Sequence, residues 1–225
     1  MVDIWMSYGK TEVCARIPTR NFLNSIEPKE KQGVTDPETE IEHALNNPIG
    51  TERLSEITKV GDKVIIVVDD STRATPSYLM IPPLINELNK SGVIDEDITI
   101  IFGCGIHRPV TQEEKEKIIG KESLERITAI NHVSTAKDQV FLVETSFGTK
   151  DYDNKNFAQA DVKILTGDIN LHYYAGYGGG RKGVLPAVSS KKTIQQNHSL
   201  LLHPKAISGN LVGNPIHEDM MEAAK

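Results

Sequence analysis

The chain has 225 residues and a formal net charge of −6, with 38% hydrophobic and 25% charged residues. This length can bury a core without disulfides, and the negative charge argues against binding to nucleic acid or to acidic membranes. The sequence shows no N-terminal signal pattern and no apolar run of 18 residues, so no membrane span is expected. Cys14 and Cys104 stand far apart, which excludes a thiolate zinc site, leaves one disulfide possible and favours a reduced, cytoplasmic protein.

The predicted elements begin with a hairpin over residues 3–18, which turns at Gly9. A short helix follows over residues 36–48, with Asp36 as its cap and Pro37 at its first position. Residues 63–70, which include "KVIIVVDD", form a continuous β-branched run. Such a run is typical of a strand that is buried on both faces of a parallel sheet.

Helices and strands alternate through the rest of the chain. Further strands are predicted over 97–105, 139–145 and 161–168, and further helices over 75–92, 111–120 and 189–204, with another starting at Asn214. The pattern predicts an α/β fold: an open, mostly parallel, Rossmann-like sheet with helices on both faces, plus a small N-terminal β-hairpin. We treat residues 1–225 as one such domain, and expect it to be the N-terminal part of a longer protein because the sequence ends within the last predicted helix.

Three segments with unusual polar residues follow directly on buried strands. They are "DDSTRATP" (69–76), "GCGIHRPV" (103–110) and "GDINLHYYAGYGGGRKG" (167–183). Open α/β sheets bind ligands beyond the carboxyl ends of their strands. The three segments are therefore predicted to converge on one crevice.

The glycine-rich segment "GYGGGRKG" invites a comparison with phosphate-binding loops. A Walker loop is excluded because Arg181 replaces its second glycine and no hydroxyl follows Lys182. Gly178, Gly180 and Gly183 satisfy G-x-G-x-x-G, but neither a strand directly before nor a helix directly after supports a dinucleotide site. A flexible turn and a functional loop both stay open, and the adjoining Arg-Lys pair favours function, with Lys182 as a phosphate ligand or a covalent attachment point.

His107 and His172 follow predicted strands, a position that favours acid–base chemistry. We expect His43, His132 and His217 to be solvated and His203 to lie at a helix end. In "DDSTRATP", helix capping explains most of the hydroxyls and carboxylates, and the alternative is an anion or cofactor-phosphate site. Arg73 is not needed for capping and favours the anion site.

Together, "DDSTRATP", "GCGIHRPVTQEE" and "HYYAGYGGGRKGVLPAVSSKKTIQQNH" resemble the lactate racemase family of nickel-pincer enzymes, from about residue 8 to the end of the chain. The third motif is long and specific, and the first two are shorter. The resemblance implies an N-terminal, cofactor-binding domain of a two-domain isomerase. Such enzymes interconvert D- and L-2-hydroxy acids by hydride transfer to a nickel-pincer pyridinium nucleotide.

The resemblance also implies residue roles. Lys182 would hold the cofactor covalently, His198 would ligate nickel, and His107 and His172 would act as acid and base. Asp70 and Arg73 match active-site positions of the family, and the predicted cofactor contacts are Asp70, Ser71, Thr72, Arg73, Gly178, Gly179, Gly180 and Arg181. The implied partners are a small 2-hydroxy acid and the cofactor-biosynthesis enzymes, and the 225 residues alone are expected to be inactive. The alternative is a non-catalytic nucleotide- or phosphate-binding module.

Overall fold

The computed structural model describes residues 1–27, 29 and 31–225, which divide into two compact units, 1–35 and 36–225. The smaller unit contains the antiparallel hairpin of β1 (Val2–Tyr8) and β2 (Thr11–Ile17) and a 3-10 turn at Thr19–Asn21. Gly9 has a φ of 62° between the two strands, a conformation that glycine adopts without strain. The predicted hairpin is confirmed.

The larger unit is built around a parallel sheet. Its elements in chain order are α1 (Pro37–Asn46), α2 (Leu54–Ile57), β3 (Val64–Asp69), α3 (Ser77–Lys90), β4 (Ile98–Gly103), α4 (Gln112–Ile119), α5 (Lys121–Arg126), β5 (Thr128–Asn131), β6 (Val140–Glu144), β7 (Lys150–Asp153), α6 (Lys155–Gln159), β8 (Val162–Leu165), β9 (Leu171–His172), β10 (Gly176–Tyr177), α7 (Lys191–Ser199) and α8 (Pro215–Ala223). Four strands pair in parallel in the order β5-β4-β3-β8.

Strand β3 shows why this sheet forms. Ile66 and Val68 pack on one face with residues of α3, whereas Ile65 and Val67 pack on the other face with Phe157 of α6 and the segment 184–188. A strand that is covered on both faces needs apolar side chains at every position. The predicted α/β fold, with helices on both faces of a parallel sheet, is confirmed.

Two strand predictions differ from the structure. The segment 139–145 was expected to join the main sheet, but β6 pairs antiparallel with β7 in a separate hairpin. Its apolar run resembles a buried strand, yet Phe141, Leu142 and Val143 are all exposed. The edge of the sheet beside β4 is instead formed by β5, which the sequence did not predict. This strand is four residues long, and its "TAIN" sequence carries too little apolar periodicity to be recognised.

The structure contains the side-chain caps that were used to predict where the helices begin. Asp36 accepts from the Thr39 N–H, and Asn214 accepts from the N–H groups of Ile216 and His217. Thr111 and Glu114 form the predicted capping box of α4. The helix predicted over 189–204 is shorter than expected, because α7 ends at Ser199 and continues only as a 3-10 turn to Leu202.

Both cysteines are free thiols. No helix within the described residues has the length and apolar character that a bilayer crossing requires.

Candidate active site

A cavity of about 480 Å³ lies beyond the carboxyl ends of β3, β4 and β8. Asp69, Asp70 and Arg73 line it from the loop after β3, residues 103–107 from the loop after β4, and residues between 168 and 182 from the loop after β8. Helix α7 adds His198. The predicted convergence of the three segments is confirmed, and its cause is the strand order, which places β3 between β4 and β8.

Asp70 and His107 form a hydrogen-bonded pair on the wall of the cavity. The Oδ2 atom of Asp70 lies 2.6 Å from Nδ1 of His107, and Oδ1 accepts from the N–H and hydroxyl of Thr72 at 2.9 and 2.5 Å. Burial opposes the ionisation of Asp70, but the hydrogen bonds from Thr72 and His107 outweigh it and lower the Asp70 pKa. Because an ionised carboxylate only accepts, Nδ1 of His107 carries a proton, and in the neutral ring Nε2 therefore holds the lone pair.

His172 has the opposite arrangement. The Ala175 N–H donates to its Nδ1 atom at 3.2 Å, so the proton of the neutral ring sits on Nε2. Burial, followed by the charges of Lys182 and Arg73, lowers the His172 pKa to about 4. At neutral pH, therefore, His172 is an uncharged imidazole that offers an N–H group.

Lys182 stands at the cavity wall with a depressed basicity. Burial, with help from the charges of Arg73 and Arg181, lowers its pKa to about 8. Lys182 forms no salt bridge within the described residues. Since a lysine nucleophile must be uncharged, a lowered pKa makes this amine more reactive than a surface lysine.

His198 projects from α7 towards the same cavity. Its ring lies 5.2 Å from the ring of Tyr174, which in turn lies 4.5 Å from the ring of His172. Burial and the charge of Lys182 lower the His198 pKa, which favours the neutral form that binds metal ions. Lys182 and the imidazoles of His172 and His198 thus share one electrostatic environment.

Some predicted cofactor contacts do not line the cavity. Of the described residues, Ser71, Thr72, Gly180 and Arg181 all lie outside its wall. Arg181 is buried, and its guanidinium donates to the carbonyls of Ala175 and Tyr177 at 2.8 and 3.0 Å. Its donors therefore hold the glycine-rich loop in shape, a function that its sequence neighbour Lys182 does not share.

Gly178 and Gly179, two of the predicted cofactor contacts, line the cavity and also pack closely against the neighbouring chain. Gly179 has a φ of 75°, and a Cβ atom there would stand 2.9 Å from the carbonyl oxygen of Asp168. At Gly178 a Cβ atom would lie 3.1 Å from the Asn170 side chain. Both glycines line the cavity, but these contacts show that they are required for close packing against residues 168–170.

Sequence reasoning missed several residues of the wall. Asp69 accepts from the Thr75 hydroxyl at 2.5 Å, and burial raises its pKa despite that bond. Asp168, Asn170, Tyr173 and Tyr174 come from the loop after β8. Their signal was their position beside His172 and Asp70 in the same polar segments.

Two histidines that we expected to be solvated are not. His132 is 1% exposed, and its Nε2–H donates to the Ser189 carbonyl at 2.9 Å; burial lowers its pKa to about 4. His217 is partly buried, and its Nδ1 atom lacks a hydrogen-bond partner among the described residues. Each lies directly after a residue of mixed polar and apolar surroundings, Asn131 and Ile216, so the sequence does not reveal the burial that tertiary packing imposes.

The residues present fit the cofactor that the sequence resemblance implies. Nowhere in the described chain do three His, Cys, Asp or Glu side chains come together to hold a metal ion. A metal at His198 would therefore have to bring most of its ligands with it, as a metal-bearing organic cofactor does. The partly buried Lys182 amine supplies an anchoring point for such a group, and the cavity volume is typical of small-molecule sites.

Comparisons with known proteins agree with the architecture. The sequence model of the lactate racemase N-terminal domain matches residues 8–209. Lactate racemase from Lactiplantibacillus plantarum is 36% identical over 231 residues, and that from Thermoanaerobacterium thermosaccharolyticum is 32% identical over 230 residues. Each of these alignments covers 100% of this chain and 54% of the relative, so the chain spans about half the length of these relatives.

Solved structures give the same result. The lactate racemase apoprotein from T. thermosaccharolyticum superposes with a TM-score of 0.83 at 31% identity, covering 99% of this chain and 53% of that one. A protein from Thermotoga maritima superposes with a TM-score of 0.68 at 23% identity, covering 83% and 46% of the two chains, and supports the fold alone.

Proposed function

The chain belongs to the lactate racemase family, and from this premise we propose that it is the cofactor-binding part of a nickel-dependent racemase or epimerase of 2-hydroxy acids. Lys182 would hold a nickel-pincer nucleotide covalently, and His198 would be the protein ligand to nickel. The observation that supports the proposal most is the meeting of His107, His172, Lys182 and His198 at one cavity.

The substrate is an anion, and the cavity carries cations to receive it. Arg73 is exposed at the wall, and its guanidinium can pair with a carboxylate or phosphate through two parallel hydrogen bonds. We propose that Arg73 orients one of the two anionic groups, the substrate carboxylate or the cofactor phosphate.

His107 is the residue best prepared to remove the proton of the substrate hydroxyl. Its Nε2 lone pair is free, and the Asp70 carboxylate both fixes the ring and stabilises the imidazolium that forms. When bound, the nickel-pincer nucleotide would supply an acceptor for the C2 hydride. Loss of that hydride leaves a flat 2-keto acid, to which hydride can be returned on either face.

His172 would serve the opposite face of the substrate. In the present arrangement it can hold a substrate oxygen through its Nε2–H group. To act as a base it must release the Ala175 N–H and move its proton to Nδ1. Anions bound near Lys182 and Arg73 would offset the charges that depress its pKa and so would favour its protonated form.

The remaining proposals follow from the family. The whole protein would contain a second domain, and closure between domains would exclude water from the site. Cofactor-biosynthesis enzymes would be its partners, and the cytoplasm its compartment.

The test is to express the full-length protein with the cofactor-making enzymes and to measure its intact mass, its nickel content and its racemisation of lactate and related 2-hydroxy acids. We expect a mass gain of one nucleotide adduct, which Lys182→Ala abolishes. Lys192→Ala is the matched control, because Lys192 is an exposed lysine on α7. Racemase activity in unmodified, nickel-free protein would contradict the proposal.

A further inference from the structure

Asn197 precedes His198 on α7 and is fully buried. Its side-chain amide forms hydrogen bonds with three partners at once: the Asp219 carboxylate and the Ile216 carbonyl on α8, and the imidazole of His198. An amide held on every side has only one orientation available to it.

The acceptors around Asn197 determine that orientation. Its Nδ2 atom lies 3.2 Å from the Ile216 carbonyl, which has no proton to donate, and 2.8 Å from Oδ2 of Asp219. The hydroxyls of Thr145 and Thr149 also donate to Asp219, so its carboxylate is held as an acceptor. The amide NH₂ group must therefore face α8, and the carbonyl oxygen Oδ1 must face His198.

This orientation fixes the proton on His198. The Nδ1 atom of His198 lies 3.1 Å from Oδ1 of Asn197, an oxygen that only accepts, so Nδ1 carries the hydrogen. In the neutral ring Nε2 is then left with a free lone pair. Free histidine in water prefers the other tautomer, with its proton on Nε2, so the protein imposes a choice that the side chain would not make alone.

We propose that Asn197 is a positioning residue that holds His198 in the Nδ1–H tautomer and so presents Nε2 to a metal. Only the purpose of the tautomer rests on the proposed function; the tautomer itself follows from the hydrogen bonds. Histidines that bind metals generally donate the other ring N–H to an oxygen in this way, and loss of that oxygen weakens metal binding about 10- to 100-fold.

A second acceptor lies near the His198 ring. The Ile194 carbonyl, one helical turn before His198, favours the protonated imidazole and so raises its pKa, against the larger effect of burial. The variant Asn197→Ala separates the two acceptors, because it removes the amide oxygen and leaves the Ile194 carbonyl in place.

The test uses ¹⁵N-histidine-labelled full-length protein made without the cofactor-making enzymes, so its outcome does not depend on the proposed function. Ring ¹⁵N shifts and ring ¹⁵N–¹H couplings identify the protonated nitrogen of His198. We expect a protonated Nδ1 and an unprotonated Nε2 in the wild type, and a shift towards the Nε2–H tautomer in Asn197→Ala. Gln195→Ala, which removes an exposed amide from the same helix, should leave the tautomer unchanged.

An Nε2–H tautomer in the wild type would overturn the proposal, and this result does not require the variant to fold. An unchanged Nδ1–H tautomer in folded Asn197→Ala would overturn it too, because the Ile194 carbonyl would then suffice. In cofactor-loaded protein we expect Asn197→Ala to release nickel to a chelator about 10- to 100-fold faster while the Lys182 adduct mass is retained. Absence of the adduct in the loaded wild type would contradict the proposed function and leave the tautomer result standing.

Discussion

The loops after β4 and β8 each bring one histidine to the same cavity, and the two imidazoles differ in almost every physical respect. The side chain of His107 is 48% exposed and paired with a carboxylate. His172 is partly buried among cations, and its pKa is lowered to about 4. Nε2 is a free acceptor in His107 and an N–H donor in His172. Both residues are histidines, but one neighbour sets the position of the proton in each. That neighbour is the Asp70 carboxylate for His107 and the Ala175 N–H for His172.

This difference shows that the resting cavity is not symmetrical, even though racemisation treats two mirror-image substrates. Under the proposed function, His107 would take a proton and His172 would hold an oxygen. Substrate or cofactor anions would then have to alter His172 before both histidines could perform the same task.

Asp70→Asn should have the largest effect. Thr72 would continue to donate to Oδ1, so the new NH₂ group would face Nδ1 of His107 and force the proton onto Nε2. His107 would then match the donor state of His172 and lose its base function. We expect racemisation by the cofactor-loaded full-length enzyme to fall by about 10²-fold or more, as for loss of an acid–base group.

The tautomer of His107 in the same variant, read by ¹⁵N NMR, tests the cause. Asp69→Asn is the control, since Asp69 is the neighbouring acid at the end of β3 and its carboxylate bonds to Thr75 instead of His107. It should leave His107 with its proton on Nδ1. If Asp70→Asn kept that tautomer, the assigned origin of the asymmetry would be wrong.

Lys182→Met should change the other histidine. Removing a nearby positive charge makes the imidazolium of His172 less unfavourable, so its pKa should rise. Burial is the largest cause of the low value and is unchanged, so we expect a rise of about one unit or less, to a value still below 6.5. An NMR titration of cofactor-free full-length protein measures it, with Lys192→Met as the unchanged control.

Asp151 and Asp153 extend the comparison to buried acids. Both are fully buried on β7, and burial, together with the charge of Asp153, raises the Asp151 pKa. Their carboxylate oxygens accept no hydrogen bond from the described residues, so a proton shared between them would supply the missing donor. Lys182 and Asp151 thus illustrate the same rule: burial without a strong partner favours the uncharged form.

The folded state keeps the Asp151 proton to a higher pH than the unfolded state does. The free energy of unfolding should therefore fall as pH rises from about 4, the usual pKa of an aspartate in an unfolded chain, through the raised pKa of Asp151 in the folded state. Asp151→Asn stays neutral and should remove this fall. We expect thermal unfolding at pH 5 and pH 8 to show a smaller loss of Tm in the variant, by roughly a few °C. Asp138→Asn, at an exposed acid, should keep the wild-type dependence of Tm on pH. If Asp151→Asn showed that same dependence, the Asp151 proton would not be the cause of the fall.

The sequence predicted what depends on local patterns. The β-branched run of β3, the caps at Asp36 and Asn214, and the convergence of three polar segments all follow from residue spacing and from the geometry of parallel sheets. Sequence could not place β6, because an apolar run does not say which partner strand it meets. It could not foresee the burial of His132, which depends on the distant Ser189 carbonyl, or the hydrogen bonds of Arg181, which depend on how its own loop folds back. The proton positions on His107, His172 and His198 depend on single neighbours and needed coordinates.

The N-terminal hairpin has a practical consequence for all such measurements. Trp5, the single tryptophan of the 225 residues, lies on β1 and is 64% exposed. Intrinsic tryptophan emission of this chain therefore reports on the unit 1–35, and a fluorescence melt would record the unfolding of that unit. The unfolding of residues 36–225 has to be followed by far-ultraviolet circular dichroism or by tyrosine absorbance, to which Tyr173 and Tyr174 contribute from the cavity itself.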